Sequence, residues 1–400
     1  MLERLRKGFS DPVAAFHLLI EKAEDYRIER SPDVIEGYAG GGASPRGRAL
    51  VFYLTEPFYY FEFSPRFRVH QNRWQAIELA DRVSDLGYTV DIFPLGHDPP
   101  PRLEEYDLLF GRGDNYHRAA EDCDCTRIYY GTGQSMPTLR EKETERLRNL
   151  EERRGIRLPP ERSREHRGTP GSYENVIVVG DERTARTYHD LAGDTSSIHP
   201  IRLSYDPNFS PEIRGKDFDE ARRSFVWFGG SGLVLKGLDL ALEAFEGLEG
   251  VDLYVCGPVA NNEEFAEHYH DLLYETDNIH TMDWVEVGSR EFTRITSEAG
   301  YLLYPSASDG FPSGSIAACM HAGLVPVLSS EIVHDTGGWG FMLDDVSVPG
   351  IRSQVRRCAE TDPGRLEEMT RATVEKARSD FTRRAYSADL EDALRRIVCD

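Results

Sequence analysis

Lysine is nearly missing from this chain. Only six of its 47 basic residues are Lys, at positions 7, 22, 142, 216, 236 and 376, and the rest are Arg. Positive charge is short overall: 69 acidic residues give a formal net charge of −22. That excess argues against nucleic acid as a partner, because phosphate backbones need a basic face. Acid excess with scarce Lys fits a high-salt cytoplasm, where surface repulsion is screened. A G+C-rich genome explains the Arg bias as well. Long apolar runs are missing too. None reaches the ~18 residues of a membrane-spanning helix, and charges break the apolar part of the N-terminus, so no secretory signal is expected. Cysteine is sparse, at 123, 125, 256, 319, 358 and 399. Only Cys123 and Cys125 are close, and no second pair or nearby His completes a zinc site. Cys256 and Cys319 sit in apolar runs and read as core thiols. The pattern predicts reduced thiols and a cytoplasmic chain.

What is present is enough for two domains. The chain has 400 residues, 40% of them hydrophobic, which is too long for one core. Residues 1–30 have helical spacing of Leu2, Leu5, Phe9, Val13, Phe16, Leu19 and Ile20, with Arg4, Arg6 and Lys7 making the start locally basic. Two readings stand: an interfacial helix that rests on a membrane, or a helix packed on the protein's own surface. Residues 37–47 form a Gly/Ser/Pro boundary. Strands are then expected at 49–54, 89–93, 106–110, 127–130 and 175–179, with a helix over 72–86. Strands alternating with helices predict a parallel sheet with helices on both faces. Its ligand-bearing loops would follow the strand ends: the aromatic loop at 58–61, residues 111–117 and residues 131–135. Residues 138–167 are densely charged and read as a solvated helix followed by a loop, with no chemistry assigned. Two prolines and a glycine between 204 and 219 mark a linker. A second strand–helix series follows, with strands at 224–228, 251–255, 278–284, 301–304 and 324–328.

Two loops of this second series carry chemistry. The stretch 306–323 is a small-residue loop between two apolar runs, opening a helix. Gly310 and Gly314, with Ser308, Ser313 and Ser315, leave backbone N–H groups bare at a helix N-terminus, a recipe for holding phosphate. Asp309 stands at the mouth of that loop, placed to accept hydrogen bonds from hydroxyls. Carboxylate and phosphate repel, so the ligand this suits has a phosphate at one end and a polyol at the other, such as a nucleotide sugar. The plainer alternative is a strand–loop–helix turn with Asp309 as N-cap. The second loop, Gly229-Gly-Ser-Gly-Leu-Val-Leu-Lys-Gly237, is no P-loop, because Gly237 follows Lys236 where Ser or Thr is required. Bare amides with one Lys beside a helix start still suit a diphosphate. The alternative is a Lys at the exposed end of a loop.

Together these loops give the chain a resemblance to the retaining glycosyltransferases of the GT-B fold, specifically glycosyltransferase family 4. The matching residues are Gly229-Gly230, Lys236-Gly237, Asp309-Gly-Phe311 and Ala322-Gly-Leu-Val-Pro-Val327. The resemblance is good over 222–345 and only at the level of fold before that. It implies two Rossmann-like domains facing a cleft: a helical extension and linker (1–47), an acceptor domain (48–205) and a donor domain (206–379), with a helix at about 380–400 packing back on the first domain. It implies a donor site of Gly229, Gly230, Ser231, Gly232, Lys236, Gly257, Trp284, Val285, Asp309, Gly310, Phe311, Pro312, Ser313, Gly314 and Ser315. Asp309, Lys236 and, from the first domain, His117 would be catalytic, with His70 a second candidate for the histidine. The chain departs from the family in three ways. Asp309 replaces the usual Glu. The second Glu, which binds ribose, is replaced by Ala317 or Ala318. The Arg usually found shortly before the Lys is replaced by Gly230 or Ser231, a loss that an Arg of the first domain such as Arg112 would make good. The implied activity is transfer of a sugar from a nucleotide-diphosphate sugar to a glycan or lipid-linked acceptor, with retention. No metal or other cofactor is expected, since Lys236 and the loop amides can neutralise the leaving group and Asp122-Cys-Asp124 is in the wrong domain. The place would be the cytoplasm, or the inner face of the cell membrane through residues 1–30. Other readings are a GT-B protein that only binds glycans or partners, and a nucleotide-sugar epimerase.

Overall fold

The computed structural model describes residues 12–39, 46–163, 168–193, 196–207, 209–211 and 213–399. Within them the first sheet contains β1 (Ile35–Tyr38), β2 (Gly47–Tyr53), β3 (Tyr88–Pro94), β4 (Leu108–Gly111), β5 (Thr126–Gly131), β6 (Asn175–Val179) and β7 (Ser197–Ile201). Their order is β1-β3-β2-β4-β5-β6-β7, with β1 antiparallel and the others parallel. The second sheet contains β8 (Ser224–Phe228), β9 (Asp252–Cys256), β10 (Ile279–Asp283), β11 (Tyr301–Tyr304), β12 (Val325–Ser329) and β13 (Phe341–Leu343). It is parallel throughout, in the order β10-β9-β8-β11-β12-β13. Central strands such as β2, β11 and β12 are apolar and buried along nearly their whole length, because helices cover both faces.

The order of the second sheet positions the site. The chain winds outward from β8 through β9 to β10, then returns to β8's other side for β11, β12 and β13. Loops leaving β8 and β11 therefore diverge, and the crevice at their carboxyl ends is where such sheets take ligands.

Three strands escape the sequence pattern. β1 and β13 are only four and three residues long, and β7 includes Pro200, tolerated because β7 is an edge. Residues 1–11, with Arg4, Arg6 and Lys7, and most of the expected 37–47 boundary lie outside the described residues. From Pro12 to Ile28 the chain is helical. This helix docks through Glu24, which is fully buried and accepts from Phe61 N (3.0 Å) and Ser64 Oγ (3.0 Å). The expected pair of reduced thiols is not what the structure holds: Cys123 and Cys125 are joined by a disulfide, their Cα atoms 5.4 Å apart. Cys256 and Cys319 are buried free thiols.

The charged segment also differs from expectation. The helix Met136–Arg154 is not solvated all round: Glu143, Arg146 and Leu150 are buried. Leu150 and, beyond the helix, Ile156 pack into the core of the second domain with Phe225 and Trp227. Arg153 donates to Glu243 (2.7 Å) and Asp239 (2.6 Å), and Arg146 donates to Glu331 (3.0 Å) and the Pro305 carbonyl (3.1 Å). By sequence order this helix follows β5 of the first sheet; by its contacts it lies on the second domain.

The last helix, Arg383–Cys399, lies on the first domain. Asp389 accepts from the main-chain N (3.0 Å), Nε (2.7 Å) and Nη2 (2.6 Å) of Arg202. Tyr386 and Tyr130, both fully buried, share a hydroxyl–hydroxyl bond of 2.8 Å. Tyr386→Phe leaves the Tyr130 hydroxyl buried without that partner and should cost about 1–2 kcal/mol, read as a lower urea midpoint with the slope unchanged.

Candidate functional site

The predicted donor residues lie on loops at the carboxyl ends of four adjacent strands: 229–232 after β8, Gly257 after β9, Trp284 and Val285 after β10, and 309–315 after β11. Parallel pairing puts all four at one edge. The loops are also tied to each other. Ala307 N donates to Leu235 O (2.9 Å), and Gly229 N to Cys256 O (3.0 Å). Gly237 has φ +71°, and a Cβ there would stand 2.6 Å from the Pro305 carbonyl oxygen, so only glycine lets the β8 loop close on the β11 loop.

Lys236 is buried, 7% exposed, at the end of the first loop. Its carbonyl accepts from Trp227 Nε1 (3.1 Å). Its ammonium makes no hydrogen bond or ion pair with a described residue. Burial pulls its pKa below the ordinary Lys value, and the nearby Asp309 carboxylate opposes that fall. An ammonium held out of water, with the Asp309 and Glu161 carboxylates and the Arg162 guanidinium near it but none bonded to it, is set to receive an anion.

Asp309 Oδ2 accepts from Tyr304 OH (2.7 Å) and Ser306 Oγ (3.4 Å). Asp309 is not the helix cap. Helix Gly314–His321 is capped by Ser313, whose hydroxyl accepts from Ile316 N (3.5 Å). The carboxylate is thus oriented by two hydroxyls and is spared the structural role that the plainer reading gave it. Gly310, next to it, meets the first domain: a Cβ there would lie 2.9 Å from Gly133 Cα and 3.0 Å from Val179 O. Ser308 Oγ donates to Gln134 Oε1 across the same contact (2.7 Å). Asp309 therefore sits where the two domains touch.

The remaining predicted residues divide. Trp284 is 64% exposed at the end of β10, whereas the Val285 side chain is buried in the core. Phe311 stacks on Trp339 at 5.9 Å, within the second domain, and the Phe311–Pro312 peptide is cis. Gln71 of the first domain lies over Gly314, where an added Cβ would stand 3.0 Å from its Oε1. Ala317 and Ala318 are buried in the core. His117 is buried among Tyr116, Tyr129 and Tyr173, with Nδ1 2.8 Å from Ser172 Oγ. The structure does not bring it to Lys236 and Asp309. His70 lies nearer: desolvation, then the charges of Arg73, Arg162 and Lys236, hold its pKa below the ordinary value. Arg112, the expected compensating cation, is hydrogen-bonded to Thr132 within the first domain. Arg162, which the sequence reading left without a role, donates instead to Ser231 Oγ at 3.2 Å.

Cavities of about 430 and 330 Å³ line the helix Met136–Arg154 and the segment near Pro32, and neither includes a predicted site residue. Topology and charge, not volume, identify this site. Among the described residues the three-ligand grouping His270, Asp271 and Glu275 is exposed and lies outside these loops.

No protein-family model and no curated protein sequence matches the chain. Solved structures do match. A glycosyltransferase from Rickettsia africae superposes with a TM-score of 0.55 at 10% identity, over 88% of this chain and 99% of that one. HepE of Anabaena, solved with UDP and glucose, superposes with a TM-score of 0.54 at 10% identity, over 89% and 100%. TarM of S. aureus matches with a TM-score of 0.50 at 11% identity over 73% of this chain; the chain spans about half of TarM, 54% of its length. At such identities the likeness is one of fold. The architecture is that of the GT-B glycosyltransferases, two parallel-sheet α/β domains.

Lys236 sets stability against ligand binding. Lys236→Met removes a buried charge while keeping its stem, and should raise stability of the ligand-free protein by about 1–2 kcal/mol. The same variant should lose binding of nucleoside diphosphates. Urea melts and calorimetry on one preparation read both; a destabilised variant that still binds would show that Lys236 is structural.

Proposed function

We propose that the chain transfers a sugar from a nucleoside-diphosphate sugar, held at the carboxyl edge of the second sheet, to a glycan or lipid-linked acceptor presented by the first domain. The observation that carries this reading is the placement of buried Lys236 and Asp309 on two loops joined by the Ala307 N to Leu235 O bond, at the topological switch point between β8 and β11. Lys236 and the loop amides face the leaving diphosphate, and Asp309 takes the sugar hydroxyls. HepE, of the same fold, was solved with UDP and glucose, which supports a donor of that class.

In the proposed reaction the bond from the anomeric carbon to the diphosphate oxygen breaks, and a bond to the acceptor oxygen forms on the same face, with retention. The acceptor proton passes to the departing phosphate oxygen. Charge growing on that diphosphate is met by Lys236 and main-chain N–H groups, a role that needs no metal. Positive charge growing at the anomeric carbon is met by Asp309. Its bonds to Tyr304 and Ser306 fix the carboxylate before the donor arrives.

The test is turnover against a panel of UDP-, GDP- and ADP-sugars. Asp309→Asn should keep the fold, since Ser313 holds the cap, and keep most diphosphate affinity. Transfer or donor hydrolysis should fall by roughly 10²-fold, the loss of one electrostatic group that acts mainly in the transition state. A fully active Asp309→Asn enzyme would sink the assignment. Binding of donors without any turnover would favour the glycan-binding alternative.

A lipid-linked acceptor would bring the protein to the inner face of the cell membrane. Among the described residues no helix is long and apolar enough to cross one. The helix Pro12–Ile28, however, turns Phe16, Leu19 and Tyr26 outward, 57%, 67% and 60% exposed on one stripe, with exposed Lys22 and Arg27 beside it. In this proposal that stripe, with Asp25 also exposed on the helix, is the face that meets the membrane. Replacing Phe16 and Leu19 by Ser should weaken sedimentation with anionic liposomes about tenfold or more and leave the melt unchanged. Equal sedimentation of both forms would remove membrane contact from the proposal.

A further inference from the structure

We infer that residues 161–163 form a strap over the donor site: Glu161 occupies the place of the donor's diphosphate in the ligand-free protein, and Arg162 is the second cation that grips it. This rests on the donor-site reading above and adds two residues to it.

The Glu161 carboxylate accepts from two successive main-chain amides of the Gly-rich loop, Gly232 N (2.7 Å) and Leu233 N (3.4 Å), and from Asn262 Nδ2 (2.7 Å). Consecutive amides converging on one anion make a nest. Here the anion comes from the chain itself. Glu161 is exposed and makes no ion pair with a described residue. Its charge is also felt at Lys236, and at this exposed position its three hydrogen bonds can be exchanged for bonds to water.

The backbone beneath it is fixed. Glu143, 2% exposed, accepts from the main-chain N of Glu161 (2.9 Å), Arg162 (2.9 Å) and Ser163 (2.7 Å). Glu143 lies on the helix whose Leu150 is embedded in the second domain's core. The strap therefore stays with the Gly-rich loop whichever way the Glu161 side chain points.

Arg162 is placed to remain when Glu161 leaves. Its stem rests on Gly232, where an added Cβ would come within 2.6 Å of Arg162 Cγ, and Nη1 donates to Ser231 Oγ (3.2 Å). Its charge is felt at Lys236, at His70 and at Tyr304, the residue that holds Asp309. Arg162 pairs with no described carboxylate. The Gly-rich loop contributes one cation of its own, Lys236; a diphosphate needs more, and a guanidinium offers it two parallel donors. Donor entry is then an exchange of anions, carboxylate for diphosphate, on the same amides.

The experiment titrates UDP and inorganic pyrophosphate into the full chain and its variants. Glu161→Gln keeps size and removes the competing charge, and should bind both probes roughly three- to tenfold tighter. Arg162→Gln should bind both about tenfold more weakly, as for a lost charge-assisted contact. Both residues are exposed, so melts of the two variants should match wild type. Unchanged affinity in Arg162→Gln, or unchanged or weaker affinity in Glu161→Gln, overturns the strap. If Lys236→Met loses UDP while both strap variants match wild type, the donor-site reading stands and the strap alone falls. If neither wild type nor Glu161→Gln binds either probe, both fall.

Discussion

The second domain is completed by a helix that follows a strand of the first. Met136–Arg154 brings Leu147 and Leu150 to the core around Trp227, and sets the part-exposed Arg153 fork on the buried carboxylates of Asp239 and Glu243. Burying these charges is costly, and the attraction between them repays the cost only when the geometry is good. Desolvation pushes the Asp239 pKa up to about 6 even with Arg153 beside it, which shows how heavily burial weighs here. Apolar contact supplies the attraction and the Arg forks supply the register. Because the register is fixed, everything beyond the helix arrives at a defined place, including the turn that reaches the Gly-rich loop.

The site depends on that placement for its charge balance. The switch point between β8 and β11 puts one buried ammonium near the Asp309 carboxylate, with Glu161 and Arg162 at the loop above. The Lys236 ammonium lacks a hydrogen-bonding partner among the described residues, and Asp309 is steadied by hydroxyls that carry no charge. Such groups weaken an empty protein and become useful when a ligand with opposite charges at its two ends fills the gap. Scarcity of Lys elsewhere makes its use here informative. A compact ammonium fits a buried point between two loops, whereas the Arg residues work where planar forks can span helices or domains.

The sequence made the second domain more legible than the first. β8 and β11 are apolar runs with glycine immediately or shortly after them, and both loops with Lys236 and Asp309 could be read directly. Asp309 and Ser313 are both good capping residues; choosing between them needed the φ/ψ break at Ser313. β1 and β13 were illegible because four and three residues are too few to show a period, and β7 because His199 and Pro200 interrupt its apolar residues. His117 rested on the resemblance, which implies a histidine on a loop of the first domain, but an aromatic cluster claims it. Glu161 and Arg162 stood in a run of charges, where solvation is the ordinary fate. Their one sequence clue was the Pro159-Pro160 pair just before them, which redirects a chain whose helix Gly155 has already ended. Glu143, which holds them, looks like any surface Glu until Leu150 is known to be buried.

Gly133 and Gly310 meet main chain to main chain beside Asp309, with a projected gap of 2.9 Å for an added Cβ. The separation of the domains at this point is therefore set by the absence of atoms. A methyl group on Gly310 would act as a shim of several tenths of an ångström, whereas one on Gly133 would meet Gly310 N at an ordinary 3.4 Å. A shim at a fulcrum is magnified with distance, so the farther parts of the slot would gape by more than the shim itself. The two glycines form one mechanical part contributed half by each domain, and Gly310 is the half that cannot gain a side chain without changing the width of the space in which a sugar would lie.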